Sequence, residues 1–509
     1  MRRDLVLGLD CSTTAAKAVV WSLDGSSVAV GRSAYNHSSP QPGWGEQDPV
    51  DWWNATVAAI GFACRQIDPS RLGAITITHQ RETFVCLDKD GHALRPAMLW
   101  LDTRATDQVN HLGSDLIHEV TGKPPNTATS WYKLAWLAEH EPRCIEATSK
   151  VADVHSYLVH RLTGEWRTSY GSVDPLGVLD LRDFTLSRDL VDQVGLRPDH
   201  FPELCAPGEV LGTLRDDVAE LLGLNRGLKV VAGLGDGQSA GLGVGITAPG
   251  EAYLNLGTGI VSGSFSASYG IDRSFRTMAG GVPGTYIFET FFGGGTYNLN
   301  WFVQQFSGIG EKPFGLDLAP EQILESAAAG LPAGADGLLS LPYLTGVLTP
   351  YWDSTARGVL FGLTGRHGKA HVYRAILEGL AMEQRLSTTG AEAASDLPIK
   401  RFLAMGGGAR SPLWCQIVAD VLGKPVSVAR EPEATCLGAG ILAAYGAGYF
   451  GSVHEAAAAM TGTGISYEPR PAQCARYDKL YGLYKDIYPA LRDHFLRLRQ
   501  VMGEIGDAS

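Results

Sequence analysis

The chain has no apolar run approaching the ~20 residues needed to cross a bilayer, no C-x-x-C pair and no G-x-x-x-x-G-K-[ST] phosphate loop. The first absence, with an opening "MRRDLVLGLD" that lacks a leader's apolar segment, leads us to expect a cytoplasmic protein with no membrane partner. The second leaves eight scattered cysteines, which predicts reduced core thiols rather than a zinc site or a disulfide framework. The third removes one common class of nucleotide site. Positive charge is also scarce: 42 Lys and Arg against 54 Asp and Glu give a net charge of −12, which argues against a nucleic-acid partner. A small phosphate ligand stays open, because it answers to a local field rather than the global one.

What is present is ordinary globular composition at a length of 509 residues, beyond the roughly 250–300 at which one core splits. "LVLGLD", "CSTT", "AAKAVVW", a turn at Asp24–Gly25 and "SSVAV" predict three antiparallel strands at the start. That disfavours a βαβ dinucleotide fold, which needs a helix after its first strand. Asp48 and Pro49 begin a helix, and "LGAITIT" at 72–78 reads as a buried strand. "GLKVVAGLGD" reads as a strand running into a loop, and "EAYLNLGTGIVSGSFS" repeats the first design: apolar strand, small-residue turn, apolar strand. Two related α/β halves follow, with a break near Pro249–Gly250. We place the domains at 1–246 and 247–475, followed by a C-terminal helix, 476–509, expected to return to the first half.

Asp10, at the end of a strand and before Ser12, Thr13 and Thr14, suits either a polar turn or a phosphate loop. In the second case Lys17 adds charge and Asp10 holds Mg²⁺ through water. "LGTGI" offers Gly257 and Thr258 as an opposing turn, and "GGGARSPLW" a glycine floor at Gly407 and Gly408 ahead of a helix capped by Ser411. These segments, with "SWYKLAWLAEH" (130–140) and "GVLFGLTGRHGKAHVYRAILE" (358–378), resemble the FGGY carbohydrate kinase family over essentially the whole length. Two positions depart from its pattern, Ser12 in the hairpin and Ala128 before the first signature.

The resemblance implies two actin/hexokinase-like, ribonuclease H-like α/β domains flanking a nucleotide cleft, with ATP and Mg²⁺ as cofactors and a possible homodimer. It implies that Asp236, set among glycines in "GLGDGQSAGLGVG", is the catalytic base. Ser12, Thr13, Thr14, Lys17, Gly257, Thr258, Gly407, Gly408 and Ser411 would serve ATP, with Asn300 a weaker candidate and Asp10 at the metal. Arg81 and Glu82 in "QRET", similar to the glycerol kinases, would grip hydroxyls, with Trp100 as a wall and Asp102 as an acceptor; "WLDTR" is nearer the pentulose kinases. Ala128, Val261 and Gly237 are smaller than a glycerol kinase would have, which suggests a roomier pocket. The expected substrate is a ketopentose such as D-xylulose, phosphorylated at a terminal hydroxyl, ahead of erythritol or ribulose, then glycerol. A non-catalytic or chaperone-like ATPase switch on the same fold is the competing class.

Overall fold

A computed structural model describes residues 3–309 and 319–507. The N-terminal half is built on β1 (Leu5–Cys11), β2 (Ala15–Ser22), β3 (Ser27–Ala34), β4 (Leu72–His79), β5 (Val210–Thr213) and β6 (Lys229–Gly235), in the order β5-β6-β4-β1-β2-β3. β1, β2 and β3 form an antiparallel meander, while β4 runs parallel to β1 and β6 parallel to β4. β4 is buried at every position, as a central strand covered on both faces must be. β3 exposes alternate residues as an edge strand does. Helix α1 (Pro49–Cys64) covers one face, and the Asp48 carboxylate accepts the Val50 N–H at its start, as the sequence predicts.

The C-terminal half repeats the plan. β7 (Glu251–Leu256), β8 (Ile260–Ser266), β9 (Arg276–Ala279), β10 (Tyr286–Phe292), β11 (Arg401–Met405), β12 (Val426–Ala429) and β13 (Thr463–Tyr467) pair in the order β9-β10-β8-β7-β11-β12-β13. Again three antiparallel strands, β7, β8 and β10, are followed by two parallel ones, β11 and β12. This duplicated α/β sheet pair is the expected fold.

The halves meet through α2 (Asp236–Gly243), which follows β6, and α3 (Ala434–Ala447), which follows β12. A Cβ on Gly243 would lie 1.8 Å from the Ala434 carbonyl oxygen, and one on Gly438 1.9 Å from that of Ser239. The glycines let the two backbones touch at the base of the cleft. Residues 80–209, between β4 and β5, add a side layer of helices and small sheets. Its core is shared with Phe275, Ala279, Tyr286 and Phe288 of the other half.

Helix α4 (Pro471–Asp507) corrects one expectation: it packs on the C-terminal half. Its tyrosines explain why, since the Tyr477, Tyr484 and Tyr488 hydroxyls donate to Glu378, Glu383 and Asp353 of that half. Among the described residues no helix is long and apolar enough to cross a membrane, and all eight cysteines are free thiols.

Candidate active site

Parallel strands bring the N-terminal candidates together. β1, β4 and β6 lie side by side with their C-terminal ends level, Asp10 beside Thr78 and Gly235 beside His79. The chain therefore delivers Asp10, the Arg81–Glu82 pair and Asp236 to one edge, outside the carboxyl ends of the strands, where open α/β sheets hold ligands.

At the first hairpin, the Ser12 hydroxyl donates to the Ala15 carbonyl and closes the turn. Thr13 and Thr14 face outward; the Thr13 hydroxyl accepts the Trp100 indole N–H at 3.0 Å. Lys17 lies opposite Asp10 in register, but its ammonium is paired with Glu433 of the other half at 2.8 Å. Asp10 Oδ1 is buried without a hydrogen-bond donor. Burial, then the charge of Asp236, push the Asp10 carboxyl up to about 8, against the opposing pull of Lys17. An orphaned carboxylate oxygen short of positive charge is what a hydrated divalent cation would complement, so these residues fit Mg²⁺.

Asp236 opens α2, its side chain 42% exposed towards the cleft. Its Oδ1 accepts the Gly237 N–H at 2.7 Å and pairs with Arg81 Nε at 2.9 Å; Oδ2 makes no hydrogen bond among the described residues. Desolvation raises its pKa, and the Arg81 charge opposes that rise. Arg81 is held on the other side by Glu289 of β10, whose two oxygens lie 3.1 and 2.9 Å from Nη1. Glu289 also receives Arg276 Nε at 2.7 Å and the Tyr253 hydroxyl at 2.8 Å, and Arg276 Nη1 reaches Glu82 at 2.7 Å. Glu289 is fully buried; burial alone would raise its pKa, yet Arg276 and Arg81 hold it down to about 2.

Two expectations need correcting. Asp102 accepts from the Gly45 N–H at 2.7 Å and from Arg104 Nε and Nη2, and it is fully buried. It braces the loop below Trp100, and its oxygens are taken. Gly237 does not enlarge the pocket either. A Cβ there would lie 2.8 Å from Arg81 Cζ and Nη2 and 2.8 Å from Glu289 Oε2, so the space is already filled. The amide nitrogen of the neighbouring Gln238 turns away, donating to the Gly171 carbonyl.

On the opposite side, the turn at Gly257 and Thr258 rests on the start of the helix Gly295–Phe306, where the Thr296 N–H donates to the Gly257 carbonyl at 2.8 Å. Beyond it lies a cavity of about 810 Å³ lined by Asn300, Gly407, Gly408, Ser411, Glu325 and Tyr373 among others. The two glycines differ: a Cβ at Gly407 would meet nothing, whereas one at Gly408 would strike the Trp414 ring at 2.3 Å. Ser411 caps its helix through the Trp414 N–H and donates to Glu325 at 2.6 Å.

Sequence reasoning missed Glu289, Arg276 and Lys133. Glu289 did carry a signal: it is the only acid in the apolar strand "YIFETFF", and a buried carboxylate needs cations. Lys133, inside the first signature, donates to the Glu82, Leu99 and Ala128 carbonyls at 2.8–2.9 Å and gathers three sugar-side loops. Burial draws its ammonium down to about 7.

Comparison with known proteins agrees with this fold. The N-terminal domain model of the FGGY family of carbohydrate kinases matches residues 5–243, and the C-terminal domain model residues 252–447. The chain is 29% identical to the xylulose kinase of Bacillus subtilis, over 96% of this chain and 97% of that protein. It is 27% identical to the gluconokinase of the same organism, with 97% of each covered. Among solved structures, a xylulose kinase from Rhodospirillum rubrum superposes with a TM-score of 0.90 at 32% identity, covering 96% of this chain and 99% of that one.

Proposed function

The chain belongs to the FGGY family of carbohydrate kinases and is a sugar phosphotransferase; from that premise we propose that it moves the γ-phosphoryl group of ATP to a terminal hydroxyl of a neutral ketose, a ketopentose of the D-xylulose type. The observation that carries this reading is Asp236 Oδ2, which makes no hydrogen bond among the described residues and belongs to a side chain 42% exposed, while Oδ1 is held by Arg81 and the Gly237 N–H. That oxygen accepts the proton of the attacking hydroxyl, help worth ~10²–10⁴-fold in rate. Arg81 Nη2, with no hydrogen bond among the described residues, is left to donate to a sugar oxygen. Glu82 stands beside it and Trp100 walls the cleft over Thr13. Thr13, Thr14 and Thr258 present hydroxyls and backbone N–H groups to the phosphates, and the cavity at Asn300, Gly407 and Ser411 takes the adenosine. Asp10, whose Oδ1 has no hydrogen-bond partner among the described residues, would hold Mg²⁺, which would neutralise phosphate charge.

The charge of the sugar side favours a neutral substrate over an aldonate such as gluconate. Within the ion-paired cluster of the described residues, Glu82, Asp236 and Glu289 are set against two guanidinium groups, those of Arg81 and Arg276, which leaves the cluster one negative charge in excess. A carboxylate entering there would be repelled at short range. The xylulose kinase relatives and the "WLDTR" segment favour a pentulose. Ala128 and Val261, smaller than a glycerol kinase would have, support a substrate larger than glycerol, though Gly237 no longer contributes to that argument.

A coupled ADP-release screen over three- to seven-carbon ketoses and alditols, with gluconate included, tests the proposal. The highest kcat/KM is expected for a ketopentose, with gluconate inert. Preferred turnover of gluconate would sink the charge argument, and ADP release indifferent to every polyol would mark a nucleotide switch.

A further inference from the structure

We propose that Glu289 of the C-terminal half is a positioning residue for the sugar site, its one carboxylate orienting Arg81 and Arg276 and, through them, Asp236 and Glu82. The inference rests on the reading of that site given above. Its basis is a count of donors. Arg81 has five N–H groups; Nη1 faces both oxygens of Glu289, Nε faces Asp236, and Nη2 is left beside Gly237. Arg276, on the edge strand β9, gives Nε and Nη2 to Glu289 and Nη1 to Glu82. The Tyr253 hydroxyl closes the remaining approach at 2.8 Å.

Three sugar-side groups of the N-terminal half thus owe their orientation to one buried acid across the cleft. Gly237 belongs to the same arrangement, since any side chain there would displace Arg81. The sugar site is complete only where the two halves meet. The nucleotide cavity shares no lining residue with this cluster. Without the Glu289 charge, Arg81 turns wholly to Asp236, which both engages the oxygen that must take the proton and lowers its basicity.

The test is steady-state kinetics and a pH–rate profile of Glu289→Gln in the full chain, with MgADP binding followed by thermal shift. We expect sugar KM to rise about 10-fold or more, kcat to fall about 10-fold or more, and the acid limb of kcat to move to lower pH. MgADP affinity should change less than about twofold. In an Arg81→Met background, Glu289→Gln should lower kcat less than about threefold further, because its effect on Asp236 passes through Arg81. A KM and acid limb equal to wild type, or full additivity with Arg81→Met, overturns the proposal. Should Glu289→Gln not fold, Tyr253→Phe removes a single hydrogen bond to Glu289 and should raise sugar KM about threefold; no change overturns it equally. Wild-type sugar dependence, measured alongside, separates the claims: its absence overturns the functional reading as well, whereas its presence with an unaffected variant overturns only the role of Glu289.

Discussion

The two halves share the order of five strands, β3-β2-β1-β4-β6 in one and β10-β8-β7-β11-β12 in the other, yet different chemistry leaves their strand ends. In the N-terminal half β1, β4 and β6 lead to Asp10, Arg81 with Glu82, and Asp236, all charged. In the C-terminal half β7 and β11 lead to Gly257–Gly259 and Gly406–Gly408, without a charge among them, while the next strand, β12, leads to charged residues, Arg430, Glu431 and Glu433. The connecting segments differ just as much. Residues 80–209 after β4 form a whole layer, whereas residues 406–425 after β11 form a glycine turn and one helix. A duplicated scaffold settles where ligands can sit, and the loops decide which ones. The charged side needs partners from outside itself, hence Glu289 and Arg276; the neutral side works by shape and backbone.

Substitutions on the two sides should therefore fail differently, and the contrast can be broken. The largest effect is expected from Asp236→Asn: a fall in kcat of ~10²–10⁴-fold with MgADP binding retained. Coupled ADP release and thermal shift check it, and retained turnover would remove Asp236 as the base. Asp10→Asn comes next, with the Mg²⁺ concentration for half-maximal rate raised ~10–100-fold. The same variant should be more stable without Mg²⁺. Because the folded Asp10 carboxyl is pushed up to about 8, the native state loses stability as pH rises from the ordinary carboxylate range towards 8. Melting curves across that window should flatten in Asp10→Asn.

Arg81→Met should raise sugar KM ~10-fold or more, the loss of a charged hydrogen bond of about 1.5–3 kcal/mol. It should also move the acid limb of kcat/KM to higher pH, because Arg81 opposes the rise in the Asp236 pKa. The smallest effects belong to the neutral side. Gly408→Ala should destabilise by about 1–3 kcal/mol, since its Cβ meets Trp414 at 2.3 Å. Gly407→Ala should stay within about 0.5 kcal/mol, since its Cβ meets open space. Chemical denaturation of both variants checks the order, and a reversed order would break the shape argument.

The hairpins, the central strands and the helix caps at Asp48 and Ser411 were legible because local patterns govern them: buried runs, turn residues and side chains that accept N–H groups close in sequence. Asp236 was legible through its resemblance to a family and its unusual place among glycines. Asp102 and Gly237 were misread, because their neighbours come from distant segments. Gly45 lies 57 residues from Asp102, and Glu289 lies far along the chain from Gly237. The helix Pro471–Asp507 was assigned to the wrong half, since amphipathicity gives a buried face without naming the surface it meets.

By itself the amino-acid order determined the repeated hairpins, the helix starts and the residue types available for phosphate, metal and sugar, because these depend on neighbours within a few positions. Tertiary structure alone decided which charges face one another. A guanidinium donates in several directions at once, and only the packed halves could show that Arg81 divides itself between Asp236 and the buried Glu289.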